Sequence, residues 1–500
     1  MANSLQNYIH IKKYFDIKNR NLLTPIHVII FFIILIWVLR FISLGLYPLM
    51  DTTEARYAEI ARIMEEKNDW ITPWFDYGVP FWGKPPLSFW LTALSFRLFG
   101  VNELAARLPQ FLCAAFVAWM VWDIGKRFTF IQALYALAFL SASALFFIAA
   151  GAVMTDMVLL VGMTISMRGF WLAYRLGNQN NAFEKYTFSI GLGLSLLAKG
   201  PIGLLLTYLS VLGWAAVTKN QKVAIQIVFW KKGLLLLLLM VLPWYILAEV
   251  RTPGFLNYFI IGEHWDRFFV PGWKGDLYGS GHHYPRGTIW LFLLADILPW
   301  TILIPALLIF RKNKGNINRN SHGRLEWRLY LLFWFLASAC LFTFAKNILW
   351  PYVLPGLPAL ALLIGDWLED LQDQNAVQKM LIQGLVITTF LPIIFFMSPV
   401  FNKRVYNKSA KAIIAEYEKY KNEDDKLLFF GKRSFSADFY SKGAAGFLSD
   451  NQSLKEQLRN ETIFLAIKNG SESLVLGELI NDYDLISKKG NFGLYKSRSP

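Results

Sequence analysis

The chain has 500 residues, of which 55% are hydrophobic, 16% aromatic and only 17% charged, with a mean hydropathy of +0.37. Those values exclude an ordinary soluble domain, because apolar surface on this scale has to be solvated by lipid. A formal charge of +15 would suggest nucleic acid in a soluble protein. In a membrane protein basic connecting loops account for it, so no nucleic-acid partner is expected.

Lys12, Lys13, Lys18 and Arg20 precede an apolar run from about Pro25 to Tyr47. The run is too long for a cleaved signal and no small-residue cleavage site follows, so it is expected to stay as the first span with the N-terminus cytoplasmic. Next comes the polar stretch Asp51–Trp90, acidic at its front, aromatic in its middle and ending in Gly83-Lys84-Pro85-Pro86. Within it Glu54 to Arg62 reads as a short surface helix, with Arg56, Glu59 and Arg62 at helical spacing and Asp51 at its N-terminus.

Further apolar runs lie at about 107–124, 131–149, 155–174, 187–198, 201–217, 234–250, 288–310, 329–345, 351–367 and 379–399. The run 87–99 is short and interrupted by Arg97, and reads as an interfacial or re-entrant helix. At roughly 20 residues per span, a polytopic α-helical protein of about 11 to 13 spans is expected. The basic loops Lys126-Arg127, 175–185, 219–232 and 311–328 then fall on the cytoplasmic side. The loops before Asp156, after Lys199, over 251–287 and around Lys346 fall outside. After Val400 charge of both signs rises, and short apolar runs such as KLLFF, TIFLAI and FGLY alternate with helical patterns. Residues 1–400 thus form a membrane domain and 401–500 a soluble α/β domain on the outer side.

Ionisable residues at span ends are costly in a bilayer. Here Asp51, Glu54, Arg56, Lys84, Asp156, Lys199, Glu263, His264, Arg267 and Lys346 gather on the outer side. Any one of them alone reads as an anchor; their one-sided clustering points to a site. Glu263, His264, His282 and His283 share one outer loop, a set that makes a divalent metal worth testing, although adjacent histidines more often serve loop contacts. That loop also carries GWKGDLYGSGHHYPRG, without the strand-to-helix context of a phosphate-binding loop, and reads as a flexible cover over a cavity. Cys113 and Cys340 sit in apolar runs and give no sign of a disulfide or a thiolate metal site.

The runs D-T-T-E-A-R-Y-A-E, D-W-I-T-P and G-K-P-P-L-S-F-W resemble the first extracytoplasmic loop of polyprenyl-phosphate-sugar glycosyltransferases. These GT-C-fold membrane enzymes include the bacterial lipid A aminoarabinose transferases and, more distantly, protein O-mannosyltransferases. The resemblance covers roughly the first 365 residues. It implies that Lys84 contacts a lipid phosphate, joined by Arg267 in Gly-Glu-His-Trp-Asp-Arg-Phe-Phe and by Tyr352 in Ala345-Lys346 to Pro355. Phe81, which stands where the family has a Tyr, is expected beside them at the phosphate, and Gly83 stands where some members have a Glu.

The resemblance further implies that Asp51 sits at the reacting centre with Glu54, where it would orient or deprotonate an acceptor hydroxyl or balance charge on the sugar carbon. Asp156 and Lys199 match positions lining the cavity, and are equally explained as a structural ion pair. Arg56, Glu263, His264 and Lys346 complete the expected lining.

The function so implied is transfer of a sugar from undecaprenyl phosphate to an envelope acceptor on the outer side of a bacterial inner membrane, with 4-amino-4-deoxy-L-arabinose and lipid A leading. The catalytic loops and the C-terminal domain would be periplasmic. Alternatives are mannose, galacturonic acid or a similar sugar passed to lipopolysaccharide core, another lipid or a protein. From a different class, composition alone would also suit a multi-span transporter or lipid flippase. No internal repeat is visible, and the charges gather beside a long outer loop rather than at broken paired helices.

Overall fold

The computed structural model describes residues 24–498 apart from 178–180, 271–272, 274, 280–283, 311–321, 423–424, 432, 449–462, 472–474 and 476–482. The chain divides into two compact units. One takes the chain up to Ile42, Trp82–Ser88 and Pro109–Leu391; the other takes Ser43–Phe81, Phe89–Leu108 and everything from Pro392. The sequence reading put a single boundary near 400, whereas the unit holding the C-terminal domain also includes most of the first polar stretch.

Every apolar run found in the sequence is helical. Among the described residues eight helices are long and apolar enough to cross a membrane, or nine if the pair Thr288–Asp296 and Trp300–Ile309, bent by 79°, makes one span. This is a multi-span membrane protein with fewer long spans than the expected count. The physical reasons are local. Ser143 takes an extended conformation that splits the run at 131–149 into Phe130–Ala142 and Ala144–Ala149. Ala182–Lys199 carries Glu184, Lys185 and Lys199. Leu87–Phe99 has 13 residues, about 20 Å of helix at 1.5 Å per residue, too short for a hydrocarbon core of about 30 Å.

Within the helical unit, Asp156–Leu176 packs against Ala182–Lys199 along a seam of small side chains. A Cβ at Gly162 would lie 2.7 Å from the Ser195 nitrogen, and one at Gly191 2.5 Å from the Gly162 carbonyl oxygen. Only small residues let two backbones approach so closely in lipid. The two helices run antiparallel, which returns Lys199 at the end of one to Asp156 at the start of the other. At the far end, Arg328 pairs with Asp366 and Asp370, and Arg324 with Asp370 at 2.7 Å. Arginines thus meet two of the carboxylates of the acidic turn near 370.

In the second unit, β1 (Trp74–Asp76) and β2 (Val79–Pro80) form a small antiparallel ribbon. The C-terminal sheet comprises β3 (Lys426–Phe430), β4 (Ala445–Leu448), β5 (Ile463–Lys468), β6 (Tyr483–Lys489) and β7 (Phe492–Ser497), in the order β4-β3-β5-β7-β6. β3 runs parallel to β4 and β5, while β7 is antiparallel to β5 and β6. Successive side chains of β3 enter opposite faces. Leu427 and Phe429 pack with Ile413, Ile414 and Tyr417 of the helix Lys411–Tyr420, and Leu428 with Ile463, Leu465 and Tyr495. The expected α/β domain is what forms; the helical pattern read at 454–459 lies outside the described residues.

Candidate active site

Five elements of the helical unit build one cavity of about 110 Å³. Lys84 comes from the Gly-Lys-Pro-Pro turn, Asp156 from the start of its helix and Lys199 from the end of its own. Glu263 and His264 come from the π-helix Asn257–Asp266, with Arg267 just after it, and Tyr352 from the 3-10 helix Trp350–Gly356. Leu159, Ile202, Leu206, Phe268, Phe342 and Pro355 give the wall an apolar side, and Asn347 adds an amide.

Glu263 is the hub. Its Oε2 lies 3.1 Å from Lys84 Nζ and 2.9 Å from Arg267 Nη1, while its Oε1 accepts from the Tyr258 hydroxyl at 3.2 Å. Arg267 also reaches Asp276 at 3.7 Å. Burial pushes the Glu263 carboxyl up, but Lys84 and then Arg267 outweigh it and hold the pKa at about 2. Among the side chains that line the cavity, Lys84, Lys199 and Arg267 outnumber Asp156 and Glu263 by one positive charge.

The π-helix explains the register. Its i to i+5 repeat sets Tyr258 beside Glu263 and Phe259 beside His264, pairs that an α-helical period separates. His264 Nδ1 lies 2.7 Å from the Phe259 carbonyl, which can only accept, so this nitrogen carries the proton. Burial lowers the pKa of the ring and favours its neutral form.

On the opposite wall Lys199 Nζ meets Asp156 Oδ1 at 2.5 Å and lies 4.6 Å from the Tyr352 ring centroid. The pair suits its place. Asp156 begins a helix and Lys199 ends one, so each helix dipole favours the charge it carries. Gly200 follows with φ +80, and a Cβ there would lie 2.4 Å from the Phe259 ring. Glycine is therefore required where Lys199 turns into Pro201.

Lys84, Asp156, Lys199, Glu263, His264, Arg267 and Tyr352 are thus brought together. Lys346 is not. In the extended segment after Thr343 side chains alternate in and out, which leaves Lys346 exposed and directs Asn347 to the cavity. Nothing in the sequence marked Asn347, or the Tyr258 that braces Glu263.

Asp51, Glu54, Arg56 and Phe81 belong to the second unit and are engaged there. Asp51 accepts from Ser434 Oγ at 2.7 Å, from Ser436 N at 2.9 Å and from Ser436 Oγ at 2.9 Å. Burial raises its pKa against the opposing pull of those three bonds. Glu54 receives a two-point clasp from Arg107, at 2.8 Å and 2.9 Å, and the same guanidinium donates to the Leu44, Tyr47 and Pro48 carbonyls. Arg56 lies over the Tyr57 and Phe435 rings. Phe81 is buried against Tyr57, Phe75 and Phe89, and has no hydroxyl to offer a phosphate. These contacts engage Asp51 and Glu54 within their own unit.

A metal fits poorly here. His282 and His283 lie outside the described residues, where no group of three or more potential ligands gathers. Glu263 already holds two cations, and a third positive centre beside it would be repelled. Within the Gly-rich loop, Leu277 N donates to the Tyr258 hydroxyl at 3.2 Å and Trp82 N to the Tyr278 hydroxyl at 3.0 Å, tying part of it to this unit.

The pattern that defines the dolichyl-phosphate-mannose-protein mannosyltransferase family matches residues 25–259. An undecaprenyl phosphate-alpha-4-amino-4-deoxy-L-arabinose arabinosyl transferase of Yersinia pestis is 28% identical over 349 residues, 68% of this chain and 59% of that protein. Its counterpart in an Enterobacter species is 29% identical over 340 residues, 66% and 58% respectively. The chain therefore spans about three fifths of these relatives' length. Among solved structures, ArnT from Cupriavidus metallidurans bound to undecaprenyl phosphate superposes with a TM-score of 0.77 at 17% identity, covering 93% of this chain and 97% of that one. An Archaeoglobus fulgidus oligosaccharyltransferase superposes with a TM-score of 0.51 at 12% identity, covering 96% and 74%. The chain has the GT-C glycosyltransferase fold and resembles the polyprenyl-phosphate-sugar branch of it.

Proposed function

We propose that this chain is an integral-membrane glycosyltransferase that takes 4-amino-4-deoxy-L-arabinose from undecaprenyl phosphate and passes it to lipid A. It works from a bacterial inner membrane with its cavity and C-terminal domain on the periplasmic side. The observation that carries the reading is the convergence of Lys84 and Arg267 on Glu263 in a cavity with one apolar wall. It is supported by the likeness to transferases whose names specify that donor and to an ArnT structure holding undecaprenyl phosphate.

The donor is a phosphodiester with one negative charge, matching the one excess positive charge of the cavity lining. In transfer the bond between the sugar carbon and the phosphate oxygen breaks, the acceptor oxygen forms its bond to that carbon from the opposite face, and polyprenyl phosphate leaves with the electron pair. Charge thus develops on the leaving phosphate, and stabilising it there is the main catalytic contribution of Lys84 and Arg267, with Tyr352 beside them. The apolar residues seat the first prenyl units. A phosphate acceptor is already ionised and needs no base; for a hydroxyl acceptor, Asp156, aligned by Lys199, is the cavity carboxylate not clasped between Lys84 and Arg267.

Purified protein incubated with radiolabelled undecaprenyl-phosphate aminoarabinose and lipid A tests the reading. Label appearing in lipid A, and lost with Lys84→Ala, supports it; solute flux in liposomes without sugar transfer would replace it with a transporter. Label moving only from another lipid-linked sugar would keep the class and change the donor.

A further inference from the structure

A second cavity, of about 200 Å³, lies at the other end of the helix that begins at Asp156. Arg127, Arg168 and Arg175 line it with Trp171, Trp327 and Tyr330. From Asp156 to Arg175 the helix rises about 28 Å at 1.5 Å per residue, close to a hydrocarbon thickness of about 30 Å. The two cavities therefore mark opposite membrane boundaries of one helical unit, and sugar transfer at the first leaves the second without a role.

Charge is the first pointer to a ligand. Asp123 receives Arg168 at 3.0 Å, Arg127 at 3.2 Å and Lys126 at 3.2 Å, and Glu184 stands 3.5 Å from Arg168. Glu326 accepts instead from the Tyr174 hydroxyl. Arg175 pairs with no carboxylate among the described residues, so positive charge remains in excess at the rim.

The second pointer is independent of charge. Of the polar aromatic groups in the wall, Tyr330 donates to the Met167 carbonyl at 2.7 Å and Trp334 to the Pro355 carbonyl at 2.9 Å. Trp327, only 1% exposed, has no acceptor for its indole N–H among the described residues. Its ring is fixed by stacking on Phe128 at 5.1 Å and by Trp171 at 4.7 Å. A buried N–H held rigidly without an acceptor is uncommon, and beside a basic rim it suits an anionic oxygen brought in from outside.

We propose that this cavity binds a phosphate group at the membrane face opposite Lys84, with Arg127 and Arg175 as its charge partners and the Trp327 indole as its buried donor. Two sources share that chemistry: the headgroup of an anionic phospholipid in the adjoining leaflet, and free inorganic phosphate. Basic pockets between spans take lipid headgroups in this way, and an arginine pair grips phosphate by parallel N–H bonds.

Native mass spectrometry of the full-length protein in mild detergent, with phosphatidylglycerol or phosphatidylcholine added, reads the lipid source. Calorimetry with inorganic phosphate reads the soluble one. Expected is one phosphatidylglycerol held about tenfold more tightly than phosphatidylcholine, with the preference lost in Arg127→Ala/Arg175→Ala. Trp327→Phe, which removes the N–H but keeps an aromatic side chain, is expected to weaken retention several-fold in protein that still unfolds cooperatively, with a melting temperature lowered by a few degrees at most. Phosphate binding without lipid preference would assign the site to the soluble ion. Equal retention of both lipids by wild type and both variants, with no heat from phosphate, would overturn the proposal whether or not sugar transfer is observed.

Discussion

Lys84 and Glu263 stand 179 residues apart and meet as an ion pair, Nζ to Oε2, at 3.1 Å. Glu263 is almost fully enclosed, and Arg267 shares it from the next helical turn. The carboxylate holds both cations in place at the cavity before the donor arrives. Preorganised charge of this kind requires no rearrangement when the leaving phosphate develops.

Removing either cation is therefore expected to act on turnover more than on folding. Lys84→Ala and Arg267→Ala should each lower kcat/KM for the lipid-linked sugar by about a hundredfold or more. Melting temperatures should stay within a few degrees of wild type, since Glu263 keeps one partner in each variant. Transfer at wild-type rates by Lys84→Ala would show that the phosphate is held elsewhere.

Glu263 gives a pH dependence with a definite sign. Its folded pKa of about 2 lies below the usual carboxylate value, which is about 4.3 for an unfolded Glu. The stability it contributes is fully present above that unfolded value and is lost as pH falls toward about 2. Glu263→Gln should flatten the acid side of the stability curve between about pH 4 and 2. It should also slow release of polyprenyl phosphate, because Lys84 and Arg267 then meet the product unopposed. Stability profiles recorded for both proteins from neutral pH downward check the first effect, and product inhibition checks the second.

Gly200→Ala places a methyl group 2.4 Å from the Phe259 ring at a φ of +80. The ring cannot yield without moving His264, which Phe259 both holds and touches. A loss of about 1–3 kcal/mol in stability is expected, with transfer activity falling alongside it. Thermal denaturation together with the label-transfer assay measures both. A fully active and stable Gly200→Ala would mean that the turn relaxes.

The carboxylates of the second unit should separate stability from chemistry. Glu54→Gln leaves the fully buried Arg107 without its charge partner, a change that typically costs about 3 kcal/mol or more. Asp51→Asn weakens the bonds that hold Ser434 and Ser436, for an expected cost of about 1–2 kcal/mol. In folded protein both variants are expected to retain transfer. Abolished transfer at unchanged melting temperature would return Asp51 to the reacting centre.

The sequence by itself determined that the chain is a multi-span membrane protein with an α/β unit at its end, because apolar runs and strand alternation are written in nearest-neighbour order. It also marked Lys84, Asp156, Lys199, Glu263, His264 and Arg267, since charge beside an apolar run is expensive and visible wherever it stands, while Tyr352 was marked by the family resemblance alone. Which carboxylates face the cavity was decided only by the tertiary structure. Asp51 and Glu54 look as exposed to chemistry in sequence as Asp156 does, and only the approach of Ser434, Ser436 and Arg107 occupies them. The same holds for Tyr258 and Asn347: a five-residue repeat and a hydrogen bond set Tyr258 against Glu263, and the segment after Thr343 brings Asn347 to the cavity only on folding.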